Sequence, residues 1–146
     1  VPDGPDAITS NAGWDTLKHA DFLSDIVREI RSLGVRVSIF VDPALRMVEG
    51  AGRGGADRIE LYTEPYAREF LVSREVAVKP YIESAKLAHS LGLGINAGHD
   101  LDLYNLAFLH KSLPYLDEVS IGHALICDAL YLGLENTIQK YLHQLQ

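Results

Sequence analysis

The apolar positions of this chain alternate between helical and strand-like periods. Phe22, Leu23, Ile26, Val27, Ile30 and Leu33 recur at the three- and four-residue spacing of one helix face. Gly34 stands where a helix end favours a residue free to take positive φ, so a helix is predicted from Asp21 to this glycine. Val35, Val37, Ile39 and Val41 then alternate with Arg36, Ser38 and Phe40, the two-residue period of a strand. Asp42-Pro43 follows as an expected N-cap with proline at the first helical position. The helix it opens carries Leu45, Val48 and Ala51 and ends in the turn Gly52 to Gly55.

The pattern then repeats. Asp57 to Thr63 reads as a strand with Ile59 and Leu61 on one face and Arg58, Glu60 and Tyr62 on the other. Pro65 opens a short helix, and after a break a second runs from Pro80 to Ser90 on Ile82, Ala85, Leu87 and Ala88. Leu93 to Ala97 is the next strand, Asp102 caps a helix through Leu103, Leu106, Ala107 and Leu109, and Leu113-Pro114 stops it. Glu118 to Ile121 is a last strand, and Gly122-His123 leads into one long helix from Ala124 to Leu145. Val1 to Thr16, with Pro2, Gly4, Pro5 and Gly13, reads as a long loop, and long loops in compact domains are usually functional or disordered.

A helix followed by strand-then-helix units predicts an α/β protein with a parallel sheet, because parallel neighbours need crossover connections. The 146 residues suit one domain. An open sheet would be complete at this length, whereas an eight-stranded barrel typically takes about 250 residues. Glu60 favours the barrel. A polar side chain on a strand flanked by helices needs a lumen or a ligand to point at, since a buried carboxylate without a partner is costly. The expectation is therefore half of a barrel, and a chain that opens at Val1 inside a loop is expected to be part of a longer protein.

Composition narrows the partners. The chain is 47% hydrophobic, enough for a real core, and its net charge of -7 sets it against nucleic acid and anionic membrane surfaces. No apolar run approaches the roughly 20 residues of a membrane helix, and VPDGPDAITS lacks the regions of a signal peptide, so a cytoplasmic protein is expected. Cys127 is the single cysteine. It excludes an internal disulfide and is expected as a buried helical thiol, and no Cys/His spacing suggests a metal site.

The strand ends carry the candidate chemistry: Glu60 with Tyr62 and Thr63, Asn96 with His99, and Ser120 with Gly122 and His123. In a parallel sheet or barrel these ends share one rim. Histidine titrates near neutral pH, and a neighbouring carboxylate can hold it protonated, so the set suits proton transfer. Gly122-His123 at a helix start offers free N–H groups and a positive dipole end, which favour a phosphate. Structural roles compete with these. His99 can be a turn histidine bonded to a carbonyl, His123 a helix residue of no special role, and Glu60 a partner of Arg58 or Arg36. His19, His89, His110 and His143 are expected as solvated surface groups, and Ser120 lacks the context of a nucleophile elbow.

Taken in order, VPD with Ile8-Thr9-Ser10 and Gly13-Trp14-Asp15, then VSIFVD, RIELYTEPYA, LGINAGHDL and EVSIGHALICDALYLGL resemble the second half of the pyridoxine 5'-phosphate synthase family. The resemblance implies a (β/α)8 TIM barrel, this chain covering about the last four strand-helix units. Residues 1–146 would then be the C-terminal half of a single barrel domain, with 1–16 an active-site loop and 17–146 the four units. It also implies condensation of 1-deoxy-D-xylulose 5-phosphate with 3-amino-2-oxopropyl phosphate to pyridoxine 5'-phosphate, with release of inorganic phosphate and water, no metal or organic cofactor, and a homo-oligomer, an octamer in the family.

By motif, His99 resembles the family's proton donor and Glu60 its transition-state-stabilising carboxylate. Thr9 resembles a substrate-binding threonine. Asp100 resembles a substrate-contacting position that is often glycine, which implies contact through the backbone. Gly122 and His123 resemble the substrate phosphate site. The family's first-half motifs, with its general bases and substrate-binding arginines, are absent, so the chain alone is expected to be inactive. The other readings are a non-catalytic phosphate-binding or assembly half-barrel module and a different phosphosugar enzyme on the same fold.

Overall fold

The computed structural model describes residues 1–146. Strands β1 (Ser38–Val41), β2 (Arg58–Tyr62), β3 (Gly94–Gly98) and β4 (Leu116–Ser120) form a four-stranded parallel sheet in chain order. Helices α1 (Ala20–Ser32), α2 (Leu45–Arg53), α3 (Glu64–Ser90), α4 (Leu106–Ser112), α5 (His123–Leu132) and α6 (Leu134–His143) surround it. As expected, α2, α3 and α4 each carry the chain from one strand to its parallel neighbour.

Register separates the two faces of the sheet. Ile39, Ile59 and Ile95 lie side by side, as do Val41, Leu61 and Ala97, and all six are buried. They pack with Val48, Ala51, Tyr66, Tyr81, Ala85 and Leu106 in one core between sheet and helices. Fully burying an aliphatic side chain of this size contributes about 1.5–3 kcal/mol, so this face holds the fold together. The other face is stacked in layers: Ser38, Arg58 and Gly94 lowest, then Phe40, Glu60, Asn96 and Glu118, then Tyr62, Gly98 and Ser120 at the C-terminal end.

Several local expectations are corrected. Asp42 does not cap α2; its carboxylate accepts the Gly13 N–H at 3.2 Å, and Ala44 takes the N-cap position without a side-chain bond. Asp42 ties the opening loop to β1 instead. Pro80 lies inside α3 rather than at the start of a helix, and the break falls at Ser73, where the backbone goes extended (φ -157, ψ 98). Asp102 accepts from the Tyr104 and Asn105 N–H groups and organises the turn that leads into α4. The predicted last helix is two helices. Gly133 adopts φ 77 and ψ 145, a conformation that only glycine reaches freely, and the Asn136 amide and Thr137 hydroxyl take up the carbonyls of Leu132 and Gly133.

Cys127 is exposed on α5, against expectation, and α5 buries none of its residues. Ile126, Leu130 and Tyr131 project from it into solvent. Beside β4 an apolar groove is lined by Leu116, Val119, Ile121, Leu125 and Ile138, so this edge of the sheet is uncovered. No helix is long and apolar enough to cross a membrane.

Candidate functional site

The layered polar face divides into a lower and an upper part. In the lower part Arg58 donates to the Asn96 side-chain oxygen and to Asp117, both at 2.9 Å. Asn96 donates to Glu118 at 3.1 Å, and Arg36 reaches Glu118 at 2.9 Å. Gly94 makes room for this: a β-carbon there would stand 2.8 Å from the Cγ and Cζ of Arg58. Both arginines that were candidates to pair with Glu60 are thus engaged elsewhere.

Glu60 shares a layer with Asn96 and Glu118 but turns the opposite way, upward over Gly98. A β-carbon on Gly98 would lie 2.2 Å from its Oε1, so only glycine leaves the carboxylate this space. Burial pushes the Glu60 carboxyl above its ordinary 4.5, opposed by the nearby Ser120 hydroxyl, by the amino group of Val1 and by His99, while the Glu118 charge reinforces the rise. No cation pairs with it.

His99 stands directly above the end of β3. It and Asp100 adopt φ values of 93 and 55, two consecutive non-glycine residues in the left-handed region. Such residues cost about 1–3 kcal/mol each and persist only where their surroundings hold them, most often at functional sites. Here the Thr63 hydroxyl donates to the His99 carbonyl at 2.5 Å, and the Asn105 amide to the Asp100 carbonyl at 3.1 Å. Asn105 is held in turn, its own carbonyl accepting from the buried Tyr66 hydroxyl at 2.7 Å.

The imidazole is turned towards the opening loop. Its Nε2 lies 2.9 Å from the Thr9 hydroxyl, and its ring meets the edge of Tyr62 with centroids 5.0 Å apart. Nδ1 is 3.2 Å from the Asp100 carboxylate but lacks hydrogen-bond geometry to it, so the pair becomes a contact of opposite charges only when the ring is protonated. The Tyr62 hydroxyl donates to the Ser10 carbonyl at 3.4 Å, a second tie between loop and rim. Burial, with Glu64 and Asp100 nearby, raises the Tyr62 phenol above its ordinary 10 and keeps it a neutral donor.

Of the predicted residues, the structure brings together Thr9, Glu60, His99 and Asp100. Gly122 and His123 sit at the head of α5, both exposed, and neither forms a side-chain hydrogen bond to that group. A β-carbon at Gly122 would meet nothing, so the backbone there is open to a ligand. The His99 ring bonds a hydroxyl rather than a carbonyl. Of the other histidines, His89 and His143 are exposed, whereas His19 and His110 are half-buried, His19 against the Trp14 ring. No group of three or more His, Cys, Asp or Glu side chains converges in a way that would hold a metal ion. Asn105 was not singled out from the sequence, although the Asp-x-x-Asn spacing of Asp102 and Asn105 before a helix is a turn signature that points to it.

The family described as "Pyridoxal phosphate biosynthesis protein PdxJ" matches residues 1–146. A protein of Cytophaga hutchinsonii described as pyridoxine 5'-phosphate synthase is 66% identical over the whole chain, which covers 61% of that relative. A protein of the same description from Christiangramia forsetii is 60% identical over the whole chain, covering 62% of its length. One from Bacteroides fragilis is 57% identical over 97% of the chain, covering 60% of its length. The chain therefore spans about three fifths of these relatives.

Proposed function

This chain belongs to the PdxJ family, a TIM-barrel family, and on that premise we propose that it is the C-terminal part of a pyridoxine 5'-phosphate synthase. Residues 1–146 supply half of one barrel domain, with 1–16 as the active-site loop and 17–146 as four strand-helix units. The uncovered edge of β4 and the groove beside it support this, since a barrel segment must leave an edge for the remaining strands.

The observation that carries the reading is the meeting of Thr9, Glu60 and His99 on one rim, Thr9 and His99 being 90 residues apart in sequence. In the proposed reaction, 1-deoxy-D-xylulose 5-phosphate condenses with 3-amino-2-oxopropyl phosphate, and ring closure releases inorganic phosphate and water. His99 donates the proton that lets a hydroxyl leave as water, with the Asp100 carboxylate 3.2 Å from its Nδ1. Glu60 stabilises positive charge that develops as the ring forms, from a partly desolvated position where such an interaction is strong. Thr9 exchanges its bond to His99 for one to substrate. The N–H groups at Gly122 and His123 hold a substrate phosphate, and the Asp100 backbone meets substrate. The chain alone is inactive because the remaining bases lie outside it. The proposed setting is a cytoplasmic homo-oligomer, supported by large apolar side chains left exposed on α5.

The test is to supply the full-length parent protein with both substrates and assay pyridoxine 5'-phosphate. Formation of product supports the reading, and its absence overturns it. Calorimetry of the isolated chain with each substrate separates the remaining alternative, because binding without turnover in both chain and parent would indicate a phosphate-binding module.

A further inference from the structure

We propose that Thr63 is a positioning residue for His99, setting the left-handed turn that carries the imidazole to the rim. Its consequence for turnover rests on the function proposed above; its geometric content does not.

Thr63 is fully buried one residue beyond β2. Its N–H donates to the Gly98 carbonyl at 3.0 Å and its hydroxyl to the His99 carbonyl at 2.5 Å. It therefore grips two consecutive carbonyls of the neighbouring strand end, continuing the β2–β3 ladder with its side chain where the backbone leaves the extended conformation. Thr63 is also the N-cap residue of α3, where a threonine ordinarily accepts an N–H from the first helical turn. It makes no such side-chain bond, and its hydroxyl is committed to His99 instead. The ring itself touches Thr9 and Tyr62, so Thr63 acts on it only through the backbone. Asn105 completes the clamp on the following carbonyl.

The experiment uses the full-length parent with Thr63→Val, which removes the hydroxyl at nearly constant shape, and Thr63→Ser, which restores it. Two quantities are read: kcat and KM with both substrates, and the nuclear Overhauser contact between the His99 and Tyr62 rings. Thr63→Val is expected to lose that contact and to lower kcat by about tenfold or more with KM changed less than about twofold. Thr63→Ser is expected to regain both. Thr63→Ala serves if the valine variant does not fold. An intact ring contact in the valine or alanine variant, or a serine variant as impaired as valine, overturns the proposal. If the parent makes no pyridoxine 5'-phosphate, the functional reading fails by itself, and the ring contact still decides the positioning role.

Discussion

The two ends of one sheet face use similar residues in opposite ways. At the lower end, Arg36 and Arg58 meet Asp117, Glu118 and Asn96, and each charge has a partner. In the same layer as Asn96 and Glu118 but turned upward, Glu60 forms no salt bridge, and above it His99 sits on left-handed backbone with its ring bonded to the loop residue Thr9. Charge matching engages the side chains at one end, and on the function proposed above the other end keeps its groups for chemistry. This is the division expected of parallel α/β folds, whose chemistry gathers at the carboxyl ends of the strands.

The sharpest way to break the comparison is His99→Ala in the full-length parent protein. General acid catalysis contributes typically 10²–10⁴-fold, so kcat should fall by about that factor with KM little changed, measured by product formation. A variant within a few fold of the wild type would place His99 with the structural end.

The two glycines sharpen the contrast. Gly98→Ala meets only the movable end of Glu60 and the Ser120 β-carbon, so it should displace the carboxylate and reduce kcat by about tenfold or more, with a stability change below about 1 kcal/mol by denaturant titration. Gly94→Ala collides with the Arg58 stem and guanidinium. It should lower stability by about 1–3 kcal/mol while activity per folded molecule stays within about twofold. Similar effects from both variants would remove the distinction between the ends.

The smallest effect is a pH dependence. The Glu60 carboxyl is raised above 4.5 by burial, so the folded state holds its proton where the unfolded state has lost it. Stability from this group is present below the ordinary value and lost as pH rises through the raised one. Glu60→Gln should flatten that decline in a denaturation series from acid to neutral pH, and an unchanged profile would count against the burial of Glu60.

Much of the fold was legible because burial imposes periodicity. Ile59, Leu61 and Glu60 were assigned to their faces from alternation alone, and the order of strands and helices followed from it. Single polar residues were less legible. Asp42 before a proline reads as a cap, yet its carboxylate serves Gly13, 29 residues earlier in the chain. The break in α3 falls at Ser73, which carries no breaking signal, rather than at Pro80. Local preferences of about 1–3 kcal/mol, such as a helix cap or an interior proline, are overridden by packing.

By itself the sequence determined the parallel α/β order, the face on which Glu60 lies, and His99 at a strand end, since each depends on residues close together in the chain. Only the tertiary structure decided that Arg58 and Arg36 go to Asp117 and Glu118, that Gly98 frees Glu60 to turn upward, and that Thr63 and Asn105 hold the His99 turn. Those choices depend on register between strands and on which donors compete for each carbonyl, and both exist only once the sheet has formed.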